Sequence, residues 1–546
     1  MAKHIIYQML PRLFTNYNAA RIYNGTIEQN GCGKFNLITD KALRSLKKLG
    51  ITHIWYTGIL EHATQTDYSA YGITPDNPSI VKGQAGSPYA VKDYYDVDPD
   101  LAEDVSKRME EFEALLARTH ALGMKVIIDF VGNHVSRQYK SDNLPEGVTD
   151  LGSGDNPMWE FSPLNNFYYI LQTLKIGNYT EFPARATGND CFHASPNEND
   201  WYETVKLNYG VFYQGGGEKQ FKPLPKTWHQ MLDILLFWSE KGIDAFRCDM
   251  AEMVPVEFWK WAISEVKEKY PQTEFFAEVY NPYNYRAFLN EAGFDYLYDK
   301  VGMYDYLRGV TSRSFPAEGI TGQWQATDDI RDHMLYFLEN HDEQRIASGF
   351  FCGRGICAEP AMTVAATLGT NPVMIYSGQE LGEKGMDIEG FSGMDGRTTI
   401  FDYWGVRSLQ AWTNNGKFDG AGLDDEQIEL REFYRRLLNI CQKEKAVSEG
   451  KMFDLQYAQN ENYSKREQYC FLRKHDKDVL LVVVNFADRA VNLSINIPQE
   501  AREYLDLPVC DFSGADLLGS EQVQGNTQKV SLSIDAWKAK IIKFRI

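Results

Sequence analysis

An α/β fold is predicted for this chain: a closed (β/α)8 TIM barrel with a subdomain inserted after the third strand, followed by a C-terminal antiparallel β-sandwich. Three observations predict it. Eight short apolar runs begin near residues 4, 51, 125, 243, 274, 295, 334 and 372, most of them after a helix-like segment. Alternation of that kind implies parallel pairing with right-handed crossovers, and eight strands are the number that closes such a barrel. The runs are spaced in multiples of one strand–helix unit, with a single long excess. After about residue 440 the pattern turns to alternating strands.

The elements follow in order. Ile51–Trp55 comes after a first helical stretch. Lys125–Phe130 follows Glu103–Leu122, whose Met109, Phe112, Leu115 and Leu116 keep helical spacing and whose end is marked by Gly123. Ile243–Phe246 follows Met231–Glu240, which closes at Gly242, and Glu274–Val279 follows Phe258–Tyr270. Met334–Leu338 and Pro372–Tyr376 complete the set. Asp249 to Glu278 is 29 residues, one unit; Glu278 to Asp342 is 64, two units; Asp342 to Tyr376 is 34, one unit. Asp129 to Asp249 is 120, too long for one unit. The excess, residues 135–225, is rich in Asn, Gly, Pro and aromatics and reads as the inserted subdomain. Val479–Phe486, the alternating Val491–Ile497 and the closing Trp537–Ile546 read as antiparallel strands. The expected domains are therefore residues 1–134 with 226–440 (barrel), 135–225 (insertion) and 441–546 (β-sandwich).

Composition narrows the function. The 546 residues carry 56 Lys+Arg against 75 Asp+Glu, a net charge of −19, with 43% hydrophobic residues. That balance fits a globular protein and argues against a basic groove for nucleic acid. The apolar start, Ile5–Leu10, is too short for a signal segment, and no run approaches a membrane span. The eight cysteines are scattered and read as reduced thiols, so a cytoplasmic protein is expected. Only Cys352 and Cys357 lie close together, without a His to complete a zinc pattern. No Gly-rich nucleotide fingerprint accompanies the early strands, so no nucleotide, flavin or redox cofactor is expected.

Chemistry in a barrel of this kind sits at the C-terminal ends of the strands. Four ends are dense in polar groups: Asp129-Phe130-Val131-Gly132-Asn133-His134, Arg247-Cys248-Asp249, Glu278-Val279-Tyr280 and Glu339-Asn340-His341-Asp342. Strand alternation puts Ile243, Ala245, Arg247 and Asp249 on one face, so Arg247 lies one step below Asp249. A cation there is expected to depress the carboxylate's pKa and keep it ionised, as a nucleophile requires.

These segments resemble the conserved regions of the α-amylase clan, glycoside hydrolase family 13. Asp129–His134 resembles region I, Gly242–Asp249 region II, Phe276-Ala277-Glu278 region III and Phe337–Asp342 region IV. Ser87–Tyr95 resembles the stretch that carries a sugar-stacking tyrosine, here Tyr89. Pro372–Glu380 resembles the eighth strand. The resemblance spans about residues 4–440 in the right order and spacing. It implies a retaining mechanism with three catalytic residues: Asp249 as nucleophile, Glu278 as acid/base and Asp342 as the group that holds the sugar hydroxyls and stabilises the transition state. It further implies substrate contacts from Tyr89, Asp129, His134 and His341, with Arg247 orienting Asp249. Asn133 matches a common calcium ligand of the family, so a structural calcium there is an expectation, although no cofactor is required for the chemistry.

The sequence departs from the pattern in places. Ser87-Pro88 stands where many starch-degrading members have His-Gly. Glu252 and Met253 stand where many α-amylases have Lys-His, so the acceptor-side contacts must differ. Asp96-Val97-Asp98-Pro99-Asp100 suggests a calcium loop, yet Leu101 and Lys107 sit where an EF-hand needs Gly and Glu. Val205-Lys206-Leu207-Asn208 is similar to a signature of the neopullulanase, cyclomaltodextrinase and maltogenic amylase group, lacking its Pro; that group usually carries an N-terminal β-domain, whereas the first strand here begins near His4. The expected function is hydrolysis of α-1,4-glucosidic bonds in maltooligosaccharides or starch-type glucans. The alternatives are a transglycosylase or glucoside isomerase using the same intermediate, and a non-catalytic glucan-binding protein. The last predicts loss of a catalytic carboxylate, and all three are present. The expected partner is an α-glucan oligosaccharide, with neither nucleic acid nor membrane.

Overall fold

The protein is described by a computed structural model covering residues 3–197 and 199–546. Eight parallel strands close into a barrel: β1 (Ile5–Met9), β2 (His53–Tyr56), β3 (Lys125–Val131), β4 (Ala245–Asp249), β5 (Glu274–Ala277), β6 (Tyr296–Tyr298), β7 (Met334–Phe337) and β8 (Val373–Tyr376). Each pairs with its sequence neighbours, and β8 returns to β1. The interior is filled by one side chain in two: Ile6, Trp55, Ile127, Ala245, Phe276, Leu335 and Met374 form one cluster. The alternate residues Phe246, Cys248, Phe275 and Ala277 face the helices in the main core. This period of two fixes which strand-end side chains point up into the mouth of the barrel.

Between strands run helices such as Asp40–Leu49, Arg108–Ala121, Lys226–Glu240, Val256–Lys269 and Ala358–Thr367. Arg108–Ala121 buries Phe112, Leu115 and Leu116 and stops where Gly123 takes φ +66°, a left-handed conformation that a side chain would resist. The last barrel helix, Asp425–Lys443, opens with a capping box, Asp424 and Gln427 bonding each other's backbone, and runs three residues beyond position 440.

Between β3 and β4 the chain makes short antiparallel pairs rather than one sheet. Thr204–Lys206 pairs with His134–Ser136, which ties the far end of this segment to the top of β3. Buried Arg137 knits it further, donating to the Tyr202 and Thr204 carbonyls at 2.6 and 3.0 Å and pairing with Glu181 at 2.5 Å.

The C-terminal part holds β9 (Lys451–Asp454), β10 (Gln468–His475), β11 (Asp478–Asn485), β12 (Val491–Asn496), β13 (Asp511–Asp516), β14 (Gln522–Asn526), β15 (Lys529–Ile534) and β16 (Ala539–Arg545). They form one antiparallel sheet in the order β9-β10-β11-β16-β13-β14-β15-β12. The sheet folds over itself. Leu472, Leu481 and Val483 of β10 and β11 share a core with Leu493 and Ile495 of β12 and Val530 and Leu532 of β15, strands distant in sheet order. The other face, with Phe471, Leu480, Val482 and Ile541, joins the barrel core. Arg473 pins the contact, donating to the carbonyls of Leu368, Ala446 and Val447 at 2.7–2.9 Å. Among the described residues no helix is long and apolar enough to cross a membrane.

Candidate active site

Arg247 is the centre of the site. Inward-facing on β4, it lies 1% exposed, directly beside Asp129 of β3 in the strand register. Its guanidinium sits within 5.2–5.5 Å of the Trp55, Tyr89 and Tyr298 rings, a cage that keeps it dry and in place. From there it reaches three carboxylates: Asp249 Oδ1 at 2.7 Å, Glu278 Oε1 at 2.8 Å and Asp129 Oδ1 at 3.4 Å. One buried cation thus holds acids from three successive strands.

The pKa of Asp249 shifts in the opposite direction to the sequence expectation. Burial pushes its pKa up, and Arg247 works against that shift without reversing it. Position below a cation was visible in the sequence; complete burial at the strand end was not, and the desolvation cost is the larger effect. What separates the two catalytic candidates is their mutual contact. The Glu278 carboxyl is hydrogen-bonded to Asp249, which helps to hold Asp249 down. Glu278 is pushed up by burial and again by the Asp249 charge, with Arg247 opposing. Each effect between the two favours the proton on Glu278 and the charge on Asp249.

Two groups that sequence reasoning did not weigh grip Glu278. Tyr280 Oη donates to Glu278 Oε1 at 2.6 Å, and the Met250 N–H donates to Oε2 at 2.8 Å. Met250 manages this by taking φ +42°, an uncommon backbone for a side-chain-bearing residue directly after Asp249. Tyr280 stabilises the ionised form of Glu278. Tyr280→Phe is therefore expected to raise the Glu278 pKa and move the alkaline limb of kcat/KM up by about one pH unit, the worth of one charge-assisted hydrogen bond. A pH–rate profile checks it; a limb that stays put or moves down contradicts the assignment.

Asp129 accepts from Trp55 Nε1 at 3.0 Å and Tyr89 Oη at 3.3 Å, and burial pushes it up to about 7 against the pull of Arg247. His341 is held by the Gln8 side chain at Nδ1, 2.7 Å away, with its Nε2 3.2 Å from Asp342 Oδ2. The Tyr89 ring stacks on His341, centroids 5.1 Å apart. Asp342 is the most open of the acids, its side chain 44% exposed, and desolvation in the cleft together with the Glu278 charge pushes it up. Burial pushes His134 down to about 3, so its imidazole is neutral.

Asn133 stands apart from this cleft, and its surroundings do not fit a calcium ion. Its Oδ1 accepts from the buried Lys206 ammonium at 2.8 Å, and that ammonium also pairs with Asp190 Oδ1 at 2.6 Å. A fixed positive charge already lies against the carbonyl that would have bound the metal. The residues around Asn133 thus do not fit the calcium expected there: Lys206, noticed in the sequence only as part of a specificity motif, stands in the cation's place. Because an ammonium only donates, it also fixes the Asn133 amide, whose Nδ2 faces Gly188 O at 2.7 Å and His134 Nδ1 at 3.2 Å. The His134 proton is then on Nε2.

Tyr89, His134, Asp249, Glu278, His341 and Asp342 line a single cavity of about 330 Å³, with Asp129 and Arg247 beneath its floor. Its far wall comes from segments without periodicity: Trp201 and Glu203 of the insertion, Lys82, and Phe401. Lys82 and Glu203 form an ion pair at 2.8 Å. Only their positions in irregular loops would have flagged them, and the sequence offers no signal for that.

Three carboxylates with two imidazoles, at the C-terminal mouth of a β/α barrel and converging on a polar-and-aromatic cleft, define a barrel glycosidase. Comparison with known proteins agrees. The family described as "Alpha amylase, catalytic domain" matches residues 8–299, a little over half of the chain. The chain belongs to this family and is an alpha-amylase-family glycosidase. It is 26% identical over 472 residues to "Alpha-amylase 3" of Dictyoglomus thermophilum, covering 82% of this chain and 79% of that one. It is 25% identical over 375 residues to an "Alpha-1,4-glucan:maltose-1-phosphate maltosyltransferase" of Cereibacter sphaeroides, covering 66% of this chain and about half, 48%, of that one. In structure it is similar to a noncanonic maltogenic alpha-amylase from Thermotoga neapolitana, TM-score 0.66 at 19% identity, over 100% and 99% of the two chains. That likeness speaks to the fold.

Proposed function

We propose that the protein is a retaining glycosidase that cleaves α-1,4-glucosidic bonds in maltooligosaccharides. The observation that carries this reading is the contact of Asp249 and Glu278 on one guanidinium. Two carboxyls gathered on one guanidinium suit double displacement, in which the pair sits closer together than direct attack by water requires. Asp249 attacks the anomeric carbon as the glycosidic C–O bond breaks, and Glu278 gives its proton to the departing oxygen. Glu278 then takes a proton from water, which displaces Asp249 and restores the free enzyme. Asp342 and His341 hold ring hydroxyls, His134 donates from Nε2, and Tyr89 packs on the sugar face. Arg247 keeps both reacting carboxyls in register and lowers the cost of their charge. The relatives' printed names, amylase and α-1,4-glucan transferase, support an α-glucan as the substrate. The eight free thiols support a reducing compartment such as the cytoplasm.

The maltosyltransferase relative favours one second reading, transfer of the glycosyl group to another sugar. A product profile on maltotriose at high concentration, run beside cyclodextrin, pullulan, sucrose and trehalose, tests both. Glucose and maltose as the main products support hydrolysis; oligomers longer than the substrate support transfer. Turnover of sucrose or trehalose with none of maltotriose would overturn the substrate assignment.

A further inference from the structure

A second cavity, of about 730 Å³, is more than twice the size of the catalytic one and, among the described residues, shares no lining residue with it. One wall is the helix Ile320–Ala326, between β6 and β7, with Arg331 just beyond it. The other is β9, the edge strand of the C-terminal sheet, together with Tyr457 and Tyr504. Asp454 of β9 locks the two walls together. Its Oδ2 accepts from Thr321 Oγ1 at 2.6 Å and Trp324 Nε1 at 3.1 Å on the helix, and from Tyr469 Oη at 2.5 Å within the sheet. The groove is therefore preformed. Its lining is rich in rings. Tyr457 and Tyr504 pack against Phe453, centroids 6.4 and 5.7 Å away, yet remain 56% and 52% exposed. Trp324 adds a fourth ring from the helix, with the Arg331 guanidinium 5.2 Å over it.

The chemistry of this lining selects its guest. Ring faces left in water suit the C–H faces of a pyranose, and polar groups between them suit hydroxyls, which both donate and accept. Arg331 and Lys465 supply donors; Glu318 and Asp328, both exposed, supply acceptors. With Asp454 the acids outnumber the cations, which disfavours a phosphate or any polyanion. Asp454 is taken up by three donors, so the groove has no buried carboxylate free for chemistry: it can hold a sugar and cannot cleave one. We propose that this groove is a second, non-catalytic binding site for an α-glucan oligosaccharide, built jointly by the barrel and the C-terminal sheet. The inference rests on the α-glucan reading of the cleft. It gives the C-terminal sheet a part in substrate capture, because a branched glucan held here keeps its other chain ends at a raised effective concentration around the cleft.

The test uses the full-length chain carrying Asp249→Asn, which binds without turnover, titrated with maltoheptaose by calorimetry. Two sites per chain are expected. Adding Tyr457→Ala and Tyr504→Ala should weaken one of them at least about tenfold and leave the other unchanged. Both rings are half in water, so their truncation should leave the sheet folded, which melting verifies. With Asp249 intact, the same pair of substitutions should reduce retardation by glycogen in native gels and leave kcat/KM on an aryl α-maltoside unchanged. A single maltoheptaose site before the tyrosines are replaced, or two sites that both survive their replacement, would overturn the proposal and leave the reading of the cleft intact. No maltoheptaose binding at all would overturn the α-glucan reading, and this proposal with it.

Discussion

Asp249→Asn is expected to lower kcat on an aryl α-maltoside by roughly 10⁴-fold or more while the protein stays folded. An amide of the same shape keeps the packing at the end of β4 but cannot form the glycosyl–enzyme bond. Arg247 would remain held by Glu278 at 2.8 Å and Asp129 at 3.4 Å, so the floor of the site should persist. Circular dichroism and melting separate loss of chemistry from loss of fold. Near-wild-type turnover by a folded variant would remove Asp249 from the mechanism.

Glu278→Gln is expected to act differently, because its role depends on the leaving group. With maltotriose the leaving sugar needs a proton, and loss of the acid should cost roughly 10²–10⁴-fold. With α-maltosyl fluoride the leaving fluoride needs none, so the first step should recover by about two orders of magnitude relative to maltotriose. Equal losses on both substrates would mean that Glu278 positions the site and does not transfer the proton. The same substitution removes the titrating carboxyl to which Tyr280 donates at 2.6 Å, so the pH shift expected of Tyr280→Phe should vanish in the double variant.

Much of this site was legible in the sequence because strand geometry is periodic. Once Ala245, Arg247 and Asp249 are placed on one face of β4, their common orientation follows, and the structure puts Ala245 in the barrel interior with Phe246 and Cys248 outside. The strand beginnings fell within two residues of those observed for the same reason. Other features depend on contacts between distant segments, and no local pattern encodes them. Gln8 of β1 meets His341 after β7, 333 positions away, and Lys206 meets Asn133 across 73. Trp201, Glu203 and Lys82 line the cleft from loops with no period to read. The direction of the Asp249 shift was misjudged because adjacency to Arg247 can be counted along a strand, whereas desolvation is a property of the assembled barrel. The C-terminal strands were visible in their alternation, yet that they form one continuous hydrogen-bonded sheet folded into two layers depends on the β11–β16–β13 junction.

The central claim is that Asp249 forms a covalent intermediate, so that cleavage proceeds by two inversions at the anomeric carbon. The stereochemistry of the first product reports on this directly. Proton NMR of maltotriose or maltotetraose during the first minutes of hydrolysis, before mutarotation, resolves the new reducing end. The α anomer appearing first, with the β anomer growing only as mutarotation proceeds, is the predicted result. Initial release of the β anomer would show single displacement by water and contradict the assignment of Asp249 as nucleophile.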